Sequence, residues 1–474
     1  MIYLRNIFLV IYWLLILGIM VKILLDNRQP TKTMAWMLVL WFLPVVGILL
    51  YIFFGQDTRR QRFISQRSLD QLCKRSMLEF VSQRNLKIPP SQQQLVKMFA
   101  NLNQALPFKD NTTQIFTNGY EFFPALLRDI ARARYHIHIE MFIFANDALG
   151  QLIADALIDK ARQGVEIRVL YDDVGCWNVK NSFFERMRDE GIIVHAFMPV
   201  KFPAFTSKAN YRNHRKICVI DGHAGYIGGF NIAMRYVKGF GSQPWRDTMM
   251  RIEGGAVYAL QRAFLVDWYF VEGTLITNHK YYPPLRDVPQ NDVLCQVVTS
   301  SPISPWPDIM QGYVRILLQA RQYVYIETPY FLPTETFFFA MKAAALAGVD
   351  VRLMMPLHSD TKLVEMASYS YLPKALEAGI KIYLYKGGFN HSKLLISDDM
   401  VSSCGSTNID FRSFENNFEG NAFFYGSETA SALKQVFLND MKQCDVWSHT
   451  TDVPRPGLPK RILQSLVRLL APVM

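Results

Sequence analysis

The stretch NHRKICVID, residues 213–221, places a His, a Lys two residues on and an Asp five further around an apolar run. NHSKLLISD, residues 390–398, repeats that spacing. The repetition extends outward on both sides. YHIHIEMFIF (135–144) matches QYVYIETPYF (322–331), GVEIRVLYDD (164–173) matches GVDVRLMMPL (348–357), and GIIVHAF (191–197) matches GIKIYLY (379–385). After the His motif come GGFN (228–231) and GSTN (405–408). Landmarks recurring in one order imply two copies of one unit, over about 106–290 and 291–455. Each reads as a strand. The runs ICVI and LLIS suit central strands covered on both faces. The segments between, such as 149–164 and 336–348, have helical spacing and stop at Gly. The alternation predicts an α/β fold.

A chain of 474 residues, half of them hydrophobic, is long enough for two or three domains with sizeable cores. The formal charge of +11 fits an anionic partner, nucleic acid or an anionic lipid surface. The six cysteines form no CxxC pair, which argues against a zinc ribbon and for ordinary thiols in a reducing compartment.

Residues 7–25 and 34–54 are apolar runs, each long enough to span a hydrocarbon layer of about 30 Å, with Lys22 near an end where it can snorkel. A signal peptide fits less well, because no small-residue cleavage site follows and a second span comes at once. The expectation is a transmembrane hairpin over residues 1–57, linked through Asp26 to Thr33. Arg59, Arg60, Arg62, Arg67, Lys74 and Arg75 follow it and place the large C-terminal part in the cytoplasm. Arg28 and Lys32 in the link argue weakly the other way. Residues 58–105 read as a connecting helix and linker.

On a strand, residues two apart share a face, so His214 points with Lys216 and His391 with Lys393. A pseudo-twofold axis between the copies would bring both pairs to one site. That set suits phosphoryl-ester chemistry. Lysines neutralise phosphate oxygens, one imidazole attacks phosphorus, and the other moves protons to and from alcohols. Asn231 and Asn408 could add donors. A lone HxK is usually a solvated pair; two copies inside a duplication are not. Lysine is a poor ligand for divalent ions at neutral pH, and no HExxH is present, so neither metal nor other cofactor is expected.

With these motifs, and with WRDTMMRIEG (245–254), ETPYFLP (327–333) and GSTNIDFRSFENNFE (405–419), the chain resembles the phospholipase D superfamily with paired HKD motifs. Within it, the chain is similar to bacterial cardiolipin synthases. The resemblance implies two α/β/α sandwich repeats with one shared active site. It implies the joining of two phosphatidylglycerol molecules into cardiolipin with release of glycerol, through a phosphatidyl-histidine. His214, Lys216, Asn231, His391, Lys393 and Asn408 would line the site, with His214 as nucleophile. Asp247 and Glu419 would each bond an imidazole and set its tautomer. Asp221 and Asp398 complete the catalytic motifs, with a structural role away from the phosphate expected. The implied place is the inner membrane, with phosphatidylglycerol and anionic lipid as partners and no nucleic acid. Hydrolysis to phosphatidic acid, or phosphatidylethanolamine as one substrate, remains open.

Other candidates carry two readings each. Glu140 and Glu327, at matching positions, reach the site or are buried structural carboxylates. Asp172 and Asp173 follow a strand and could sit at the rim. Arg412 and Ser413 could touch a headgroup. The loop KFPAFTSKANYR (201–212) carries Lys201, Lys208 and Arg212 beside Phe202 and Phe205, either as a plain surface loop or as a contact with anionic lipid. The C-terminal helix expected within 456–474 places Ile462, Leu463, Leu466, Val467 and Leu470 on one face, flanked by Arg461 and Arg468. It either packs on the domain or lies in a lipid interface.

Overall fold

The computed structural model describes residues 2–26, 30–51, 55, 86, 88–200, 210–239, 244–284, 293–452, 457–469 and 471. The chain divides into two units, residues 1–61 with 200–211, and residues 62–199 with 212–474. Arg28, the basic cluster Arg59 to Arg75, Cys73, the loop residues Lys201, Phe202, Phe205 and Lys208, and Leu470 lie outside the described residues.

In the first unit, Ile2–Leu25 is a helix of 24 residues. The second apolar run is divided. Pro30–Phe42 and Pro44–Leu50 are helical, and Leu43 between them leaves helical geometry at φ −123° because Pro44 opens a new first turn. Ile23, Leu40 and Tyr51 form a small buried cluster. Among the described residues no helix is long and apolar enough to cross a membrane.

The second unit is built on a 16-stranded sheet whose order reads the same from its centre outward in both directions. Its middle pair is Pro107–Phe116 antiparallel to Val293–Ser300. On one side follow Met249–Glu253, Ala224–Gly228, Ile217–Ile220, His136–Met141, Glu166–Asp172 and Ile193–Phe197. On the other follow Asn417–Tyr425, Val401–Gly405, Leu394–Ser397, Tyr323–Glu327, Asp350–Pro356 and Lys381–Tyr385, with Cys444–Trp447 added at that edge. The outer three strands of each copy run parallel, and the inner ones pair antiparallel. The predicted duplication is therefore a duplication of topology.

Local chemistry fixes the same turns in both copies. Helix Ala148–Arg162 starts where the Asp147 side chain accepts from Gly150 N, and Glu335–Leu346 where Thr334 accepts from Phe337 N. Each helix then enters a parallel strand through a glycine at positive φ, Gly164 at 86° and Gly348 at 92°, where a Cβ would be strained. One core fills the first copy and another the second. A third draws on both, with Ile217, Val219 and Met250 packed in one cluster with Leu394, Ile396 and Phe424.

Two helices outside the repeats pack on this frame. The end of the presumed linker, Gln93–Asn103, is a helix whose Leu95, Val96 and Phe99 enter the core of the second copy. Their spacing makes one apolar stripe, which burial against Gly312 satisfies. The C-terminal helix Leu458–Leu469 buries Val467, with Ala471, against Leu332 and Ala367. Its Ile462, Leu463 and Leu466 remain exposed.

Candidate active site

Each HxK lies just before its strand rather than on it. His214, Arg215 and Lys216 link the two-residue strand Arg212–Asn213 to Ile217–Ile220, and His391, Ser392 and Lys393 link Phe389–Asn390 to Leu394–Ser397. The two-residue strands add a further joint between the copies, at the motifs themselves. Arg212–Asn213 pairs with Asn417–Phe418 of the other copy, and Phe389–Asn390 pairs with Trp245–Arg246. His214 N donates to Phe418 O at 2.9 Å, and His391 N donates to Arg246 O at 2.7 Å. Each motif is thus stitched by backbone to the segment carrying the opposite copy's carboxylate.

The side chains follow. His214 Nδ1 lies 3.1 Å from both Glu419 oxygens. His391 Nδ1 lies 2.6 Å from Asp247 Oδ2. Glu419 also accepts from Ser406 Oγ at 2.5 Å and Asn417 Nδ2 at 3.2 Å, and Asp247 from Thr248 N at 2.8 Å. Lys216 Nζ donates to His214 O at 2.5 Å. Lys393 Nζ donates to His391 O and lies 2.8 Å from His391 Nδ1. Both imidazoles, both lysines and both acids are buried. Phe142 stacks edgewise on His214, and Trp245 and Phe389 flank His391.

Burial dominates the electrostatics. It lowers His214 to about 4, with Glu419 opposing and Lys216 assisting. It lowers His391 to about 3, with Lys393 assisting and Asp247 opposing. Burial takes Lys216 well below the usual range and Lys393 down to about 8. Burial alone would raise Asp247 and Glu419, but Lys393 and His391 hold the first below its ordinary value, and His214 and Lys216 hold the second. Lys393 acts on His214 and Lys216 on His391 across the copies, so the two halves form one electrostatic site. With Nδ1 held by a carboxylate, Nε2 of each ring is the nitrogen left for substrate.

The Asn residues differ. Asn231 is fully engaged, its Oδ1 accepting from Ile143 N at 3.0 Å and its Nδ2 donating to Tyr236 OH. Asn408 keeps a buried Oδ1 with no hydrogen-bond partner.

Asp221 and Asp398 leave the catalytic set. Each sits past the far end of the strand that follows its Lys, at φ 53° and 54°. Asp221 accepts from Arg134 N, Tyr135 N and His136 N at 2.7–2.8 Å. Asp398 accepts from Arg321 N, Gln322 N and Tyr323 N at 2.8–3.0 Å. Four strand residues of about 3.3 Å each separate these carboxylates from the lysines. They fasten the starts of His136–Met141 and Tyr323–Glu327, the strands that pair antiparallel with the motif strands.

Glu140 and Glu327 lie under the site. Glu140 accepts from Asn213 Nδ2, and burial followed by Asp267 holds it well above the carboxylate range. Glu327 is raised to about 7 by burial and Asp440, against Arg246 at 3.9 Å. Asp172 is not at a rim but wholly buried, accepting from Asn213 N at 2.8 Å and facing Arg212 at 3.5 Å, so it anchors the motif's first residue. Asp173 donates its N–H to Phe197 O and is only partly buried. Arg412 Nε donates to Asn417 Oδ1 at 3.4 Å, beside the Glu419 carboxylate, and Ser413 N donates to Asp410 Oδ1 at 2.6 Å. Sequence reasoning missed Arg215, Arg246, Asp267 and Asp440. Arg215 and Arg246 occupy unremarked positions inside quoted motifs, and only the fold reveals their buried ion pairs.

Two imidazoles and two lysines share one electrostatic site, a set whose chemistry suits charge neutralisation and proton exchange at a phosphodiester. Comparison with known proteins gives the family. The family model described as cardiolipin synthase, phospholipase D-like domain, matches residues 126–268 and 313–441. A model of the phospholipase D-nuclease N-terminal segment matches residues 7–56. The chain is 39% identical over 460 residues to cardiolipin synthase 2 of Bacillus cereus, covering 95% of this chain and 88% of that one. It is 37% identical over 478 residues to the major cardiolipin synthase ClsA of Bacillus subtilis, covering 97% and 98%. The solved phosphatidylserine synthase of Haemophilus influenzae shares the fold, with a TM-score of 0.63 at 15% identity over 81% of this chain and all of that one. The chain belongs to the cardiolipin synthase family of phospholipase D-like proteins.

Proposed function

We propose that this family member is a membrane-bound phosphatidyltransferase that makes cardiolipin from two phosphatidylglycerol molecules and releases glycerol. The observation that carries the reading is the pair of imidazoles, each held through Nδ1 by a buried carboxylate and each next to a buried lysine. His214 Nε2 attacks phosphorus of the first lipid, and the bond to the glycerol oxygen breaks. His391, protonated at Nε2, gives its proton to that oxygen, and glycerol leaves. The headgroup hydroxyl of the second lipid then loses its proton to His391, attacks phosphorus and breaks the P–N bond. Cardiolipin leaves and both imidazoles return to their starting states. Lys216 and Lys393 neutralise the phosphoryl oxygens as charge gathers. Burial and Lys393 lower the proton affinity of His391, and the negative charge of a bound phosphodiester raises it again, which favours His391 as the acid.

The bilayer attachment rests on the uncharged run of residues 34–54, the run of residues 7–25 and the family match over residues 7–56. Positive residues after the second run favour a cytoplasmic catalytic part. Exposed Ile462, Leu463 and Leu466 suit contact with lipid at the same membrane.

The test is purified protein in detergent with labelled phosphatidylglycerol and EDTA. Cardiolipin and glycerol are expected. Phosphatidic acid alone would replace this reading with hydrolysis, and no product without a divalent ion would overturn the metal-free mechanism.

A further inference from the structure

Two buried guanidiniums stand behind the two imidazoles. Arg215 is the middle residue of the first HxK, where the second has Ser392. Arg246 precedes Asp247, where Phe418 precedes Glu419. After the carboxylate comes Thr248 in one half and Gly420 in the other. The registers establish the correspondence, with Asn213 opposite Phe418 and Asn390 opposite Arg246.

The guanidinium nevertheless finishes on the same group both times. Arg215 Nε donates to Glu419 O at 2.9 Å, and Arg246 Nη1 donates to Asp247 O at 2.5 Å. Each guanidinium is paired with an aspartate on a long helix, Arg215 with Asp267 and Arg246 with Asp440. Room is made differently. The Arg215 stem packs directly over Gly420, where a Cβ would lie in ordinary contact with Cγ at 3.6 Å. In the other half the Thr248 hydroxyl bonds Ser392 at 2.7 Å and accepts from Arg246 at 2.8 Å.

We infer that Arg215 and Arg246 are positioning residues, one for each imidazole, and that the guanidinium can be supplied from either side of the joint between the halves. A charged donor locked by a buried carboxylate has one favoured place. It pins the carbonyl of the residue whose side chain holds the imidazole, and so fixes where Nε2 meets phosphorus. The inference rests on reading His214 and His391 as the reacting pair.

The test is an exchange. Arg246→Phe should lower kcat for phosphatidyl transfer roughly 100-fold with little change in KM, the scale of a small misplacement of reacting groups. Adding Ser392→Arg and Thr248→Gly rebuilds in the second half what the first half already uses, and should bring kcat back to roughly a tenth of wild type or better. The ring titration of His391, followed by NMR of labelled histidine and assigned by its loss in His391→Ala, should shift in the single variant and return in the triple. Should Arg246→Phe fail to fold, the triple variant is expected to fold. An unfolded triple, a triple no better than the single in rate and titration, or a single variant with wild-type rate and titration would each overturn the inference. Wild-type protein without transfer activity would count against the proposed reaction, and the titration would still decide the positioning.

Discussion

His214 Nδ1 lies 3.1 Å from both carboxylate oxygens of Glu419, a residue 205 positions away in the other copy. His391 and Asp247 make the reciprocal pair across 144 positions. Neither copy supplies the carboxylate that holds its own motif histidine, which is a physical reason for both to stay in one compact unit.

Removing the charge from either carboxylate should therefore disable the other copy's imidazole. Glu419→Gln and Asp247→Asn keep shape but weaken the hold on the Nδ1–H tautomer. A fall in kcat of about 10²–10⁴ is expected for each, by analogy with a buried carboxylate behind a catalytic imidazole. Steady-state rates and a thermal scan would check this. Near-normal rates in both folded variants would remove the orienting role.

Asp398→Ala should act on stability instead. Its carboxylate accepts three backbone N–H groups, so the loss should cost about 1–3 kcal/mol. Positive φ adds strain for alanine. The thermal midpoint should fall while kcat, measured well below it, stays within about threefold of wild type, since a group outside the site touches no reacting atom. A large loss of kcat with an unchanged midpoint would return Asp398 to the catalytic set.

Much of this was legible in the sequence. The strand landmarks, their order and the HxK pairs were readable, because periodicity and spacing survive in one dimension, whereas the acids Asp247 and Glu419 came from the family resemblance alone. Which acid serves which histidine was not readable. Asp247 follows His214 in the chain, yet the short parallel pairs carry Glu419 to His214. Arg215 reads as the variable residue of a motif and Arg246 as a flank, because their partners Asp267 and Asp440 lie on helices that the motif spacing ignores. Gln93–Asn103 read as part of a connecting helix and linker rather than of the core, because the residues it packs with come some 200 positions later.

The pH dependence of stability gives a further check. Burial lowers His136 to about 4 from an ordinary 6.5. The unfolded chain then binds a proton that the folded chain refuses, so this residue's contribution is complete above about pH 6.5 and is lost as pH falls toward 4. Glu327, raised to about 7, works in the opposite direction over part of that range, so the comparison must isolate one residue. Between pH 6.5 and 4.5 the stability of wild type should fall faster than that of His136→Gln, by up to about 1.4 kcal/mol per pH unit. Parallel curves would contradict the buried neutral imidazole.

Orientation in the membrane is tested at Thr451, an exposed residue of the second unit. With exposed native thiols replaced, Thr451→Cys should resist an impermeant thiol reagent in intact cells and react after the membrane is opened. Ready labelling from outside would invert the topology.

The central claim is that an imidazole from one copy forms a bond to phosphorus and an imidazole from the other resolves it. Its most direct test is to trap that bond, using a short-chain phosphatidyl substrate with a nitrophenol leaving group, which departs without a proton. His391→Ala protein should take up the phosphatidyl group in an acid-labile linkage at His214, because no base remains to activate the incoming alcohol, and His214→Ala protein should stay unlabelled. Label on His391 in His214→Ala with none in His391→Ala would reverse the roles, and no label in either, with wild type turning over the same substrate, would contradict the covalent account.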